Sequence, residues 1–138
     1  MPNGDCLFCQ IVAGDVPSIK VAESENVIAI LDVNPVNFGH TLIIPKKHSS
    51  NMLDADDETL KEMILFTQRV AQAILTGLNY EAFNLELNNG RISGQIITHL
   101  HWHIVPRTAD DGLLHWSGKK YPGGEAEKIA AKIRAQIK

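Results

Sequence analysis

The stretch His99–Arg107, HLHWHIVPR, restricts this chain more than any other. His99, His101 and His103 stand at every second position, with Leu100, Trp102 and Ile104 between and after them. In a β-strand successive side chains point to opposite faces, so the imidazoles share one face and the apolar residues the other. In a helix the middle ring would point away from the outer two. The spacing therefore predicts a strand over 98–106, with Pro106 as its stop. A row of imidazoles facing one space can bind metal, do covalent chemistry, or be only the polar side of an exposed strand.

Composition bounds the setting. The 138 residues are 44% hydrophobic and 21% charged, which suits one domain, 1–138, able to bury its own core. A net charge of −3 argues against a partner that is a nucleic-acid polymer, since such proteins present excess Lys and Arg to phosphates. A small anionic ligand stays open. The apolar runs Thr41–Pro45 and Val70–Leu75 fall far short of the roughly 20 residues that span a bilayer, so no membrane partner is expected. The opening MPNGDCLFC lacks the layout of a signal peptide, so a cytoplasmic location and reduced cysteines are expected.

The remaining pattern reads as α+β. DCLFCQIVAG (Asp5–Gly14) is a short helix with Asp5 as N-cap and Gly14 as stop. Asn26–Asp32 and His40–Pro45 are strands joined by the turn NPVNFGH. Over Asp56–Leu78 the apolar residues recur with helical spacing, which gives the long central helix. EAFNLELNNG alternates Phe83, Leu85 and Leu87 with polar neighbours, as a half-buried strand does. GEAEKIAAKIRAQI is a final amphipathic helix, acids early and bases late. Strands before and after one helix, with short connections, imply an antiparallel meander sheet.

Cys6 and Cys9 form a Cys-x-x-Cys pair, which in a reducing compartment points to zinc or redox chemistry, or else to two small residues packing a helix. Two thiolates make half of a tetrahedral zinc site; His48 and His99 are the candidates for the other half.

FCQIVAGDVPS, ILDVNPVNFGHTLIIPKKH, NNGRISGQIITHLHWHIVPR and a late W-x-G-K-K-Y occur in an order that closely resembles the histidine triad (HIT) superfamily. Its signature alternates three histidines with apolar residues, here His99 to Val105. The resemblance covers nearly the whole chain and is strongest to the zinc-containing bacterial and archaeal branch, similar to diadenosine polyphosphate hydrolases and nucleoside phosphoramidases. It implies a HIT-like fold with about five strands.

It also implies roles. His101 would attack the α-phosphorus of a nucleotide, giving a nucleotidyl-histidine that water hydrolyses to a nucleoside monophosphate. His103 and His40 would contact phosphate and leaving group. Asp32 would hold the ribose, and Leu7, Phe8, Ile11, Ile30 and Leu31 an adenine or other purine base. Asn88, Gly94 and Gln95 would meet phosphate and ribose, Gln95 through its amide and adjoining main chain. Ile96 stands where eukaryotic phosphoramidases often carry a Ser or Thr that donates to the leaving group, which weakens the expectation of a phosphoramidate preference. Cys6, Cys9, His48 and His99 would bind a structural zinc, and a homodimer would form through Asp56–Leu78 and Glu81–Leu87. Two other readings stand beside this one: a zinc hydrolase in which His99, His101 and His103 share a catalytic metal, and a nucleotide-binding module with little turnover.

Overall fold

The computed structural model describes residues 4–138. Five strands, β1 (Lys20–Glu23), β2 (Val27–Leu31), β3 (Thr41–Pro45), β4 (Ala82–Glu86) and β5 (Trp102–Arg107), form one antiparallel sheet in the order β1-β2-β3-β5-β4. Helix α1 (Leu7–Ala13) covers one face and α2 (Asp57–Leu78) the other, while α3 (Glu125–Arg134) follows near the C-terminus. Two antiparallel runs, β1–β3 and β4–β5, are joined through α2. That crossover carries the chain to the far edge, and β5 returns into the middle. The histidine strand is thus clamped on both sides, Leu42 opposite His103 on one side and Glu86 opposite His103 on the other.

Alternation divides the core in two. Val27, Ala29, Ile43, Leu100, Trp102 and Ile104 pack beneath Met63, Phe66, Val70, Ala71 and Ile74 of α2. Ile28, Ile30, Leu42 and Ile44 pack with Phe8 of α1 on the opposite face. At the centre the indole N–H of Trp102 donates to Thr67 Oγ1 at 2.7 Å, and that hydroxyl donates to Met63 O at 2.7 Å. Gly39 marks where α2 presses on the sheet: its φ is 97°, and a Cβ there would lie 2.5 Å from Leu78 Cδ1.

Several boundaries differ from the sequence expectation. β5 begins at Trp102, because Leu100 N–H donates to Ser49 O (2.8 Å) and His99 N–H to Ile97 O (2.9 Å), which bends the approach before the sheet ladder starts. Pro106 lies inside β5. Its carbonyl accepts from Asn37 Nδ2 (2.8 Å), so the missing N–H faces the β3 side, beyond the last pair Thr41–Ile104, where β3 has not yet begun and no ladder bond is lost. The cap of α1 is Cys6, whose sulfur accepts from Cys9 N at 3.4 Å, in place of Asp5. β4 is exposed along its whole length: it is the sheet edge, and among the described residues nothing covers it. β1 is an edge strand of mixed polarity that shows no alternation to read. α3 stops at Arg134 and buries no residue. Among the described residues no helix is long and apolar enough to cross a membrane.

Candidate functional site

Two groups of polar side chains lie on the α1 face of the sheet. In the first, Cys6 and Cys9 come from the start of α1, His48 from the loop after β3, and His99 from the bend before β5. Cys6 Sγ is 3.3 Å from His99 Nδ1, and Cys9 Sγ is 3.4 Å from His48 Nδ1 and 3.5 Å from His99 Nδ1. The two Nδ1 atoms are 3.1 Å apart. A tetrahedral zinc with bonds of about 2.05 Å to N and about 2.3 Å to S requires N···N near 3.3 Å and N···S near 3.6 Å, estimated from ordinary ligand lengths. The donor set therefore fits that ion and, with four ligands, leaves no open position.

The surroundings support the same assignment. His99 Nε2–H donates to Pro45 O at 2.8 Å, which leaves Nδ1 with its lone pair toward the cysteines. Burial pushes His99 down to about 4, so its ring is neutral at pH 7. Burial, followed by the bond to Cys6 and the charge of Cys6, pushes the Cys9 thiol up to about 11. Without a cation Cys9 therefore holds its proton, and a bound metal must displace it.

The second group contains His101, His103, His40 and Asp32, and its hydrogen bonds settle the tautomers. His101 Nδ1–H donates to His99 O at 2.7 Å. Its Nε2 then carries a lone pair; that atom has no partner among the described residues and is not sealed from solvent. Val36 N–H donates to His40 Nδ1 at 3.1 Å, so the His40 proton sits on Nε2 and points at His103 Nδ1, 2.9 Å away. His103 in turn must carry its proton on Nε2. Adjacent imidazoles thus present opposite chemistry, a lone pair at His101 and an N–H donor at His103, with ring centres 5.1 Å apart.

Burial is the main cause that holds His40, His101 and His103 below the ordinary imidazole range; Asp32 and Glu86 pull His40 and His103 partly back. Asp32 Oδ1 accepts from Asn34 N at 2.8 Å, while Oδ2 lies 3.5 Å from His40 Nε2. Asp32, His40 and His103 are close enough to suggest a second metal site. The Val36 bond argues against it, because a metal on His40 Nε2 would force that proton onto Nδ1 against another donor. A single metal on His99, His101 and His103 also fails: the His99 ring turns to the cysteines and His101 Nδ1 to a carbonyl.

The other sequence candidates fall around this row. Phe8 meets His101 edge-on at 4.9 Å and His99 at 5.8 Å. Ile30 lies in the same apolar cluster, Ile11 packs against it, and Leu7 is exposed one turn before Ile11. Leu31 departs from the expected slot: alternation puts it on the face opposite Ile30, and it joins neither core cluster. Gly94 takes a left-handed φ of 109° beside Asn88, where a Cβ would come into ordinary contact with Asn88 Nδ2 at 3.5 Å. The Gln95 amide is fully engaged within the chain, and Ile96 is 88% exposed. Pro45 O, His99 O and the N–H of Val36 carry no side-chain signal, and Glu86 joins the site only through its register with His103. Sequence patterning could not have singled them out.

A family model described as the HIT domain matches residues 13–110. The chain belongs to the HIT family. Adenosine 5'-monophosphoramidase hnt1 of Schizosaccharomyces pombe is 36% identical over 135 residues, covering 96% of this chain and 98% of that protein. A crystal structure from Streptococcus mutans superposes with a TM-score of 0.92 at 36% identity, covering 98% of this chain and 87% of the other. A zinc-bound histidine triad family protein from Mycobacterium smegmatis gives 0.76 at 37% identity, covering 96% and 98%. The HIT fold of this chain is therefore seen throughout its length in solved relatives. The HIT match starts at Ala13, so Cys6 and Cys9 lie outside it, on an N-terminal helix that the fold brings back to His48 and His99.

Proposed function

We propose that this HIT protein is a nucleotide hydrolase that cleaves at the α-phosphate through a covalent nucleotidyl-His101, on substrates such as dinucleoside polyphosphates or nucleoside phosphoramidates. The observation that carries the reading is the opposed tautomer pair, His101 with an open Nε2 lone pair beside His103 with an Nε2–H donor. A neutral imidazole held ready is a competent nucleophile at pH 7, and dividing one displacement into two lowers each barrier.

In the first step His101 Nε2 forms a bond to phosphorus as the bond from phosphorus to the leaving atom breaks, the electron pair going with the leaving group. His101 Nδ1–H stays on His99 O, which stabilises the positive charge on the ring. His103 Nε2–H donates to a phosphoryl oxygen or the leaving atom; His40 fixes that proton in place. Water then attacks phosphorus, the pair returns to Nε2, and the water proton passes to solvent, giving a nucleoside monophosphate. Phe8, Ile11 and Ile30 offer the base an apolar wall and Asp32 the ribose an acceptor.

A neutral His103 gives a hydrogen bond but not a full proton, and Ile96 has no hydroxyl. The site is therefore better suited to weakly basic leaving groups, such as the phosphate chain of a dinucleoside polyphosphate, than to amines. The relationship to the phosphoramidase hnt1 supports the same reaction class. Cys6, Cys9, His48 and His99 would hold zinc, whose chemistry here is to tie α1 and the β3 loop to the bend that supplies His99 O; the Mycobacterium smegmatis structure supports this. The exposed edge of β4 and the outer residues Ile64, Leu65 and Leu78 of α2 would meet a second copy.

Rapid mixing with a diadenosine polyphosphate followed by acid quench tests the reading. An acid-labile adenylylated chain in wild type, absent in His101→Ala, is expected. Turnover with no adduct, or an adduct that persists in His101→Ala, would overturn it.

A further inference from the structure

Gln95 stands at a position that the family pattern would give to phosphate, yet both N–H groups of its amide, the ones a phosphate would need, are already committed within the chain. Oε1 accepts from Gly90 N–H at 2.9 Å, and Nε2 donates to Ser50 O at 2.7 Å and Ile97 O at 3.0 Å. The orientation is unambiguous, because a flipped amide would turn its oxygen onto two carbonyls.

These bonds connect two particular loops. Ser50 lies two residues after the metal candidate His48, and its neighbour Ser49 accepts from Leu100 N–H at 2.8 Å. Met52 N–H donates to Asn89 Oδ1 at 2.8 Å. Residues 89–100 are thus joined to residues 49–52 at three points, with His48 Nδ1 and His99 Nδ1 3.1 Å apart as a fourth meeting place. Inside the span, the N–H groups of Ile96 and Ile97 have no main-chain acceptor among the described residues. Free N–H groups can meet an anion only if the turn bearing them is held still.

We propose that Gln95 is a positioning residue, which locks the Gly90–Ile97 turn onto the loop after His48 and does not itself bind phosphate. The inference rests on the nucleotide reading for its effect on catalysis, but the lock itself does not depend on that reading. A bond network around metal ligands holds them in register, and loss of such outer partners commonly weakens metal binding about tenfold or more. A turn displaced by a fraction of an ångström would also lower the chemical rate.

Two variants of the full-length, zinc-loaded protein test this. Gln95→Glu keeps size and the acceptor for Gly90 N–H but turns a carboxylate oxygen toward Ser50 O and Ile97 O. Gln95→Met keeps length and removes every bond. Three measurements apply: zinc transfer to a chromophoric chelator without nucleotide, amide hydrogen exchange over residues 95–100, and kcat and KM together with inhibition by adenosine and adenosine monophosphate. The lock is supported if both variants release zinc about tenfold faster, exchange faster over 95–100, and lose kcat about tenfold with KM within twofold, estimates set by the outer-partner effect. It is overturned if zinc release and exchange match wild type, whether or not adenosine monophosphate binding weakens relative to adenosine. If wild type binds no nucleotide, the function proposed above fails, while the exchange and zinc arms still decide the role of Gln95.

Discussion

Thr67→Val tests how the helix holds the histidine strand. Thr67 is 3% exposed, and its hydroxyl is the acceptor for the indole N–H of Trp102, the residue between His101 and His103. Valine has nearly the same shape, so packing is preserved. The Met63 carbonyl loses only the hydroxyl bond, since the Thr67 main-chain N–H still reaches it within α2. The indole N–H, however, is left buried without a partner, which costs about 1–3 kcal/mol. For a domain of this size that corresponds to a melting temperature lower by roughly 3–12 °C. Calorimetry or denaturant unfolding at constant m-value reads it. In a Trp102→Phe background the donor is gone, so the same Thr67→Val change should cost about 0.5 kcal/mol or less. Equal costs in both backgrounds would show that the bond does not hold β5 to α2, and the reasoning would fail.

Other outcomes follow from the site. Ile96→Ser adds a donor at an exposed position and should leave stability within about 0.5 kcal/mol; kcat/KM should rise about tenfold for an adenosine phosphoramidate and little for diadenosine tetraphosphate, the value of roughly one hydrogen bond to a charged group. Because burial lowers His101, the acid limb of kcat/KM should fall below the ordinary imidazole value of about 6.5, and a pH profile with its limb at or above that value would contradict the neutral nucleophile. Stability follows the same sign: His40, His101 and His103 are depressed in the fold, so their contribution is complete above about pH 6.5 and is lost as pH falls through their folded values, which acid unfolding curves would show. Zinc binding must expel protons from the thiols, so affinity should rise with pH from 6 to 8; a pH-independent affinity, measured by chelator competition, would count against the Cys6–Cys9–His48–His99 set.

Much of this was legible in the residues themselves. The division of His99, His101 and His103 from Leu100, Trp102 and Ile104 needs only the two-residue period of an extended chain, and the structure keeps it even where the ladder has not begun. The bounds of α2 follow from its apolar spacing and the Asp56 cap, which accepts from Thr59 N at 2.8 Å. Both are local properties, set by neighbours in sequence. The resemblance to the HIT family supplied candidate roles, and the fold assembles most of those residues on one face.

What only the tertiary structure decided is how equivalent imidazoles become different. Which nitrogen carries a proton depends on Pro45 O, His99 O and Val36 N–H, main-chain groups that leave no mark in the side-chain pattern and are aimed at the rings only by the folded backbone. The placement of β5 in the sheet centre and the bond from the Gln95 amide to Ser50 O depend likewise on contacts across tens of residues. A sequence lists donors and acceptors, but a buried hydrogen bond assigns each one its partner, and that pairing leaves one histidine with an open lone pair and its neighbour with an N–H to donate.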